Sequence, residues 1–550
     1  MAPNRNITID IQAFPEEIFT LVIEWLILSV GVYKAIRLRY LNKRFNSAIL
    51  FVLGTREVID VNEPLGPYEP SPYWMMTPQF LDKILLARSK TKEGTRNKAL
   101  SVIAHVNREL DALTRPSEKQ LQLKQHLAIS EAVSTIGLHY FIPLGGGVAE
   151  LDEEIKAHNF LCGAIIVGKL PLVTSLLESV HDPESRKSKV DTDNPYFGRP
   201  IHLAAAWGHL EIVRYLLDCD ANPQLLAGMT DPEKYYWTDD VPLNVPARVY
   251  RSPKGNALQA AALSGHEEIV RLLLDSKPQL YSLEESVSFN RSILAAARGG
   301  HVNIITLLLQ RVGKTLRDLQ GLRTEIFCES VSHNQETVVQ TLLENGVDWG
   351  ADPLNQRQQL GRLLNLAAGL GYERIVALLL AHGASINHNG SYSGLPLSAA
   401  IRRGHEKVVQ IFLDRGQSVD TALTEAARAG QSHLVRYLLR NGADIHRPFG
   451  TCSSIGLEAL QGAISAKDIA SVSLLIEAGV PLNYSGVPYS EVPLVFAEEW
   501  GNREIVELLV EMGAKAVVCD EQELDGGGSG KGERKFVKTL KRKLAWRGKK

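Results

Sequence analysis

The chain has 550 residues, 45% of them hydrophobic, and a formal net charge of −2 at pH 7. That length exceeds a single compact core, and the near-neutral balance excludes a global pull toward nucleic acid, so no specific nucleic-acid partner is expected. Five cysteines (Cys162, Cys219, Cys328, Cys452 and Cys519) stand far apart with no Cys-x-x-Cys pair, which excludes a disulfide framework and a zinc-finger-type metal site.

At the amino terminus, Asp10, Glu16 and Glu17 precede the first apolar run, the wrong charge for a secretory leader. The run from Ile18 to Tyr33 is interrupted by Glu24 and is short for a membrane span. Phe14-Pro15-Glu16-Glu17-Ile18 predicts a helix instead. Proline opens it, two acids favour its positive end, and Ile18, Leu21, Val22, Trp25 and Leu26 make one face. A second, basic helix is expected through Lys34, Arg37 and Arg39, closing on Tyr40 to Asn46. Residues 10–55 resemble an F-box: the family's opening Leu-Pro-x-Glu-Ile is matched by Phe14 to Ile18, and its closing Val-Asn-Lys-Arg-Phe by Leu41 to Phe45. The resemblance implies docking onto the Skp1 adaptor of a cullin-RING ubiquitin ligase through Pro15, Ile18 and Leu21. The competing reading is a helical cap whose apolar face packs on the repeats.

Residues 56–150 read as a helical linker region. Asn62 to Pro78 is a proline- and aromatic-rich connector, and helical patterns follow from Gln79 to Arg88, Lys98 to Leu113 and Glu118 to Leu138. Gly145 to Gly147 then read as a hinge.

Residues 151–515 are organised on the stretch Gly198 to Asn222. Pro200 presets the first helical position, Ala204 and Ala205 keep the first helix thin, and Gly208 takes the left-handed conformation that ends it. Ile212, Val213, Leu216 and Leu217 then lay one apolar stripe on a second helix. Aligned on Gly208, the pattern recurs at Gly168, Gly265, Gly300, Asn334, Gly371, Gly404, Gly430, Lys467 and Gly501. Most steps lie near a period of roughly 33 residues, giving about ten units. The unit resembles an ankyrin repeat, with Pro200-Ile201-His202 in place of that family's Thr-Pro-Leu-His turn. The resemblance implies an all-α solenoid, here of the F-box/ankyrin type found in fungi, acting as a non-catalytic protein-interaction scaffold. The first unit, around Asn159 to Ser179, is divergent, and the unit between Gly404 and Gly430 is short. The long step from Gly208 to Gly265 holds an insert whose Tyr235, Tyr236 and Trp237 read either as a contact surface or as rings folded onto a neighbouring repeat.

In ankyrin repeats the two positions before the glycine line the concave groove. They supply Trp207 and Trp500 toward the ends and His333, Arg298, Arg402, Arg403 and Arg428 between. Arginine forks pair with carboxylate or phosphate, so a protein partner with an acidic or phosphorylated segment is expected; the plain alternative is solvated arginines that keep the helices soluble.

No catalytic motif appears, and no enzyme activity or cofactor is expected. Gly526 to Gly532 superficially resembles a phosphate loop, but Asp525 stands where its first glycine belongs and Gly532 where Ser or Thr belongs, so it reads as a flexible linker. His202, His209, His266, His301 and His405 recur at repeat positions, where they are expected to hydrogen-bond turns. Residues 516–550 form a basic tail in which Phe536, Leu540 and Leu544 recur every four residues. It reads as an import signal at Lys541-Arg542-Lys543, as a basic helix for an anionic membrane surface or a calmodulin-like partner, or as a solvated end. A monomer in the cytoplasm or nucleus is expected. Two functions remain open, an interaction scaffold and a ubiquitin-ligase substrate receptor, which differ in whether Pro15, Ile18 and Leu21 are exposed or buried.

Overall fold

The computed structural model describes residues 14–30, 43–55, 78–90, 98–114, 118–136, 152–226, 255–276, 287–316, 322–345, 353–386, 395–449, 453–483, 492–500 and 503–515. The described residues are almost wholly helical, and the chain divides into two compact units, Met1–Val347 and Asp348–Lys550.

The first unit opens with α1 (Glu16–Val30) and α2 (Lys43–Thr55). They pack through Phe19, whose ring meets Phe45 edge-on at 5.1 Å and carries the Arg44 guanidinium 4.3 Å from its centroid. Arg44 also pairs with Glu16 at 3.0 Å. α1 buries Phe19, Ile23 and Ile27, whereas Ile18, Leu21 and Trp25, part of the face expected to be its apolar side, point to solvent. Lys43 to Phe45 open a helix where the motif reading has them close one, because Ala48, Ile49, Val52 and Leu53 carry an apolar stripe onward. The basic helix expected through Lys34, Arg37 and Arg39 lies outside the described residues.

α3 (Pro78–Ser89), α4 (Lys98–Thr114) and α5 (Lys119–Ile136) pack on one another and lead into α6 (Glu153–Ile166). Val106, Leu110 and Ile129 converge on Gly163, where any side chain would collide with Val106. The described helices of residues 78–136 thus pack against one another and against the first repeat. Burial pushes the Asp82 carboxyl of α3 up to about 6.

α6 and α7 (Leu170–Glu178) form the first repeat, followed by α8 (Pro183–Asp191), which apolar periodicity does not reveal. A buried polar cluster fixes this segment. His158 Nε2 donates to the Lys189 carbonyl at 3.0 Å, while the Asn194 amide donates to His158 Nδ1 at 3.1 Å and to Asn159 at 2.8 Å. Four repeats follow: α9 (Pro200–Trp207) with α10 (Leu210–Asp218), α11 (Ala257–Ser264) with α12 (Glu267–Ser276), α13 (Val287–Gly299) with α14 (Val302–Arg311), and α15 (Leu322–Ser332) with α16 (Glu336–Glu344). The first helices α9, α11, α13 and α15 pack in succession.

The second unit repeats the pairing: α17 (Pro353–Leu370) with α18 (Glu373–Ala381), α19 (Pro396–Arg403) with α20 (Glu406–Leu413), and α21 (Val419–Arg428) with α22 (Ser432–Arg440). A two-residue ribbon, β1 (Pro448–Phe449) against β2 (Ser453–Ser454), leads into α23 (Ile455–Ser465), α24 (Ile469–Glu477), α25 (Pro493–Glu499) and α26 (Arg503–Glu511).

Several first helices start and stop for legible reasons among the described residues. Pro200, Pro396 and Pro493 occupy the first turn, where a missing N–H costs nothing, and Asn256 caps α11 reciprocally with Gln259. The stop is a left-handed residue, with φ of +81° at Gly208, +84° at Gly265 and +76° at Gly404. At several of these glycines the repeat that follows lays an imidazole or amide on the glycine and donates to a carbonyl at the end of the helix it closes. His266 Nε2 reaches the Ala206 carbonyl at 3.2 Å, His301 that of Leu263 at 3.2 Å, Gln335 that of Arg298 at 2.5 Å, and His405 that of Gly369 at 3.0 Å. A Cβ at Gly208 would sit 2.5 Å from the His266 ring, so glycine is required for space as well as for φ.

Two units break this rule with a side chain in left-handed geometry: Asn334 and Lys467, each at φ +57°. Lysine there has no local hydrogen bond to offset the steric cost. Lys467→Gly is expected to raise the unfolding free energy by about 0.5–1 kcal/mol in urea titrations; an unchanged or lowered midpoint would show that the backbone carries no strain there.

The bridging histidines also carry a pH dependence. Burial is the main cause holding the imidazoles of His301 and His405 below their ordinary range, partly opposed by their carbonyl hydrogen bonds. The folded state thus binds fewer protons than the unfolded one, and this stability contribution is present at neutral pH. It is lost as pH falls through the ordinary imidazole value toward the lowered one. The urea midpoint should fall from about pH 7.5 to about pH 5.5, and His405→Gln, the residue type already used at Gln335, should flatten that slope.

Candidate partner-binding surfaces

The ends of the first helices bring the predicted groove residues to the surface unequally. In the first unit Ala206 and Leu263 are buried by the following repeat, and Trp207 is half-buried. Arg298, at the end of α13, forms a two-pronged pair with Glu329 of α15: Nε donates to Oε2 at 2.7 Å and Nη2 to Oε1 at 2.9 Å. His333 completes the cluster, with Nδ1 3.5 Å from Glu329 Oε2 and donating to the Glu329 carbonyl at 2.8 Å. Burial lowers the His333 imidazole first, Arg298 adds to the effect, and Glu329 opposes it. Arg298 and His333, expected as partner contacts, thus belong to an internal charged cluster that ties α13 to α15.

In the second unit Arg402 and Arg403 end α19 with exposed side chains, and Arg428 ends α21 on the next first helix. Arg428 lies 3.8 Å from both Glu425 and Glu458, beyond hydrogen-bond reach, with 58% of its side chain exposed. All three occupy the last turn of a helix, where the exposed carbonyls favour a cation. Trp500, after α25, is 49% exposed and stacks at a tilt on Phe496 with centroids 5.8 Å apart.

A second surface, part of which sequence reasoning missed, lies on α1. Ile18, Leu21, Trp25 and Leu28 are exposed by 46, 54, 70 and 65%, and Pro15 is exposed beside them. Their spacing places them on one face of the helix, opposite Phe19, Ile23 and Ile27. Because α1 is apolar nearly all round, periodicity alone does not choose between the two stripes.

Tyr235, Tyr236 and Trp237 lie outside the described residues, as does the basic tail. Among the described residues no group of three or more His, Cys, Asp or Glu is placed to hold a metal ion, and no helix is long and apolar enough to cross a membrane.

The family model for ankyrin repeats (3 copies) matches residues 161–287, 326–422, 364–449 and 423–520. The chain therefore belongs to the ankyrin-repeat family, and ankyrin repeats mark it as a protein-interaction scaffold. It is similar to the ankyrin repeat and KH domain-containing protein mask-1 of Caenorhabditis elegans, 28% identical over 376 residues that make up 65% of this chain and 13% of that protein. The ankyrin repeat domain-containing protein SAT10 of Stachybotrys chartarum is 27% identical over 282 residues, 49% of this chain and 14% of that protein. The probable E3 ubiquitin-protein ligase XBOS32 of Oryza sativa subsp. japonica is 30% identical over 206 residues, 32% of this chain and 40% of that protein. The chain thus spans a small part of the first two relatives and under half of the third.

Proposed function

We propose that the protein is a non-catalytic scaffold whose second unit captures a protein partner through an acidic or phosphorylated segment laid along the ends of its first helices. The observation that carries this reading is the exposure of Arg402, Arg403 and Arg428 at the ends of the adjoining helices α19 and α21. Guanidinium forks recognise carboxylate and phosphate pairs with directional hydrogen bonds, and two adjacent arginines on one helix end present several donors together. In the full-length chain, the pair of substitutions Arg402→Glu and Arg403→Glu is expected to abolish capture of acidic and phosphorylated peptides from a defined library, with the circular dichroism unchanged. Capture retained at wild-type level would reject these arginines as the recognition element.

A second reading makes the same scaffold a substrate receptor of a cullin-RING ubiquitin ligase, with the F-box-like amino terminus as its handle. It is favoured by the solvent-facing stripe Ile18, Leu21, Trp25 and Leu28, since a stripe that only capped the repeats would be buried. The rice relative, which matches 32% of this chain, is itself named a probable ubiquitin ligase. Full-length protein should bind purified Skp1, and the paired substitution of Ile18→Asp and Leu21→Asp should lower the affinity by about 100-fold, the scale of losing two buried anchors. Absence of binding by the folded wild-type chain would leave α1 without this role. Either reading fits a monomer acting in the cytoplasm or nucleus.

A further inference from the structure

The solvent-facing stripe of α1 is spaced differently from the stripe that α1 buries. Phe19, Ile23 and Ile27 recur every four residues, whereas Ile18, Leu21, Trp25 and Leu28 advance by three, four and three. Alternating steps of three and four keep successive side chains on one narrow line along a helix. That line is the seam of a helix pair, with Ile18 and Trp25 at one repeating core position and Leu21 and Leu28 at the other. All four are exposed, Trp25 by 70%, and such a seam is filled by the side chains of a second helix lying nearly along the first.

The two edges of the seam differ in charge. Glu17 and Glu24, one heptad apart, run along one edge, and Val22 and Ser29 run along the other. Within α1 there is no lysine or arginine, and Arg44 of α2 reaches Glu16, which the helical spacing places on the α2 side. A second copy of the chain complements this pattern poorly. Antiparallel pairing of two α1 helices sets acidic edge against acidic edge, and parallel pairing sets the glutamates against Val22 and Ser29, which bring them no cation.

We infer that α1 docks a basic amphipathic helix of another protein, whose apolar seam covers Leu21 and Trp25 and whose lysines or arginines, spaced by seven residues, stand along the edge of Glu17 and Glu24. This docking shares its stripe with the adaptor reading and goes beyond it: that reading needs only apolar exposure, whereas the acidic edge sets the charge of the partner.

Two synthetic three-heptad peptides with the same leucine seam, one flanked by lysines and one by glutamates, test this against the full-length chain. The wild-type protein is expected to bind the lysine peptide about tenfold tighter than the glutamate peptide at low salt, with the preference shrinking as salt is raised. Leu21→Asp, a change at a solvent-facing position, should remove binding, and Glu17→Lys with Glu24→Lys should turn the preference toward the glutamate peptide. Equal affinity for the two peptides, or no binding of either, overturns the inference, as does a lysine-peptide preference that survives both variants. A wild-type dimer in sedimentation that Leu21→Asp dissociates also overturns it, by giving the stripe to a second copy. Skp1 binding that Leu21→Asp removes, without discrimination between the peptides, would keep the adaptor reading and reject this one; peptide discrimination without Skp1 binding would do the reverse.

Discussion

An imidazole or amide laid across a left-handed glycine ties one repeat to the one before it at Gly168, Gly208, Gly265, Gly300, Gly371 and Gly404, and the packing of those repeats depends on that contact. The glycine ends a first helix and exposes its last carbonyls. The histidine or glutamine of the next repeat donates to one of them while its ring or amide occupies the space a Cβ would fill, as at Gly208 beneath His266 and Gly371 beneath His405. Neither partner is useful alone: an alanine at the glycine would strike the ring, and a small residue at the histidine would leave the carbonyl unpaired. The spacing between repeats is thus set by a hydrogen bond and a steric fit together, and the aliphatic stripe of each second helix fills what remains.

That spacing determines what the helix ends present to a partner. Where the following helix comes close, as at Ala206 and Leu263, the residues before the glycine serve packing. Where a complementary acid stands one repeat on, as Glu329 does for Arg298, the charge is satisfied internally. Arg402, Arg403 and Arg428, at the ends of two successive first helices of the second unit, stay exposed.

The repeat register was legible because glycine, proline and the paired aliphatics recur at one period, and the structure places left-handed backbone at Gly168, Gly208, Gly265, Gly300, Asn334, Gly371, Gly404, Gly430 and Lys467. What stayed hidden had no such signal. α8 is polar and buries only Val190, so no stripe announces it. The buried face of α1 was unreadable because apolar residues surround that helix. The pairing of Arg298 depends on Glu329, thirty-one residues away, and no local pattern links them.

A double-mutant cycle on Gly208 and His266 tests the coupling most directly. Gly208→Ala alone should suffer both the left-handed backbone and the collision with the ring, His266→Ala alone should lose the bond to the Ala206 carbonyl, and the double variant should be relieved of the collision. Urea unfolding of the four proteins is then expected to give a non-additive term of about 1 kcal/mol or more in the direction of relief. Effects that add to within about 0.3 kcal/mol would mean that glycine and histidine act independently, and the contact proposed to set the repeat spacing would not exist.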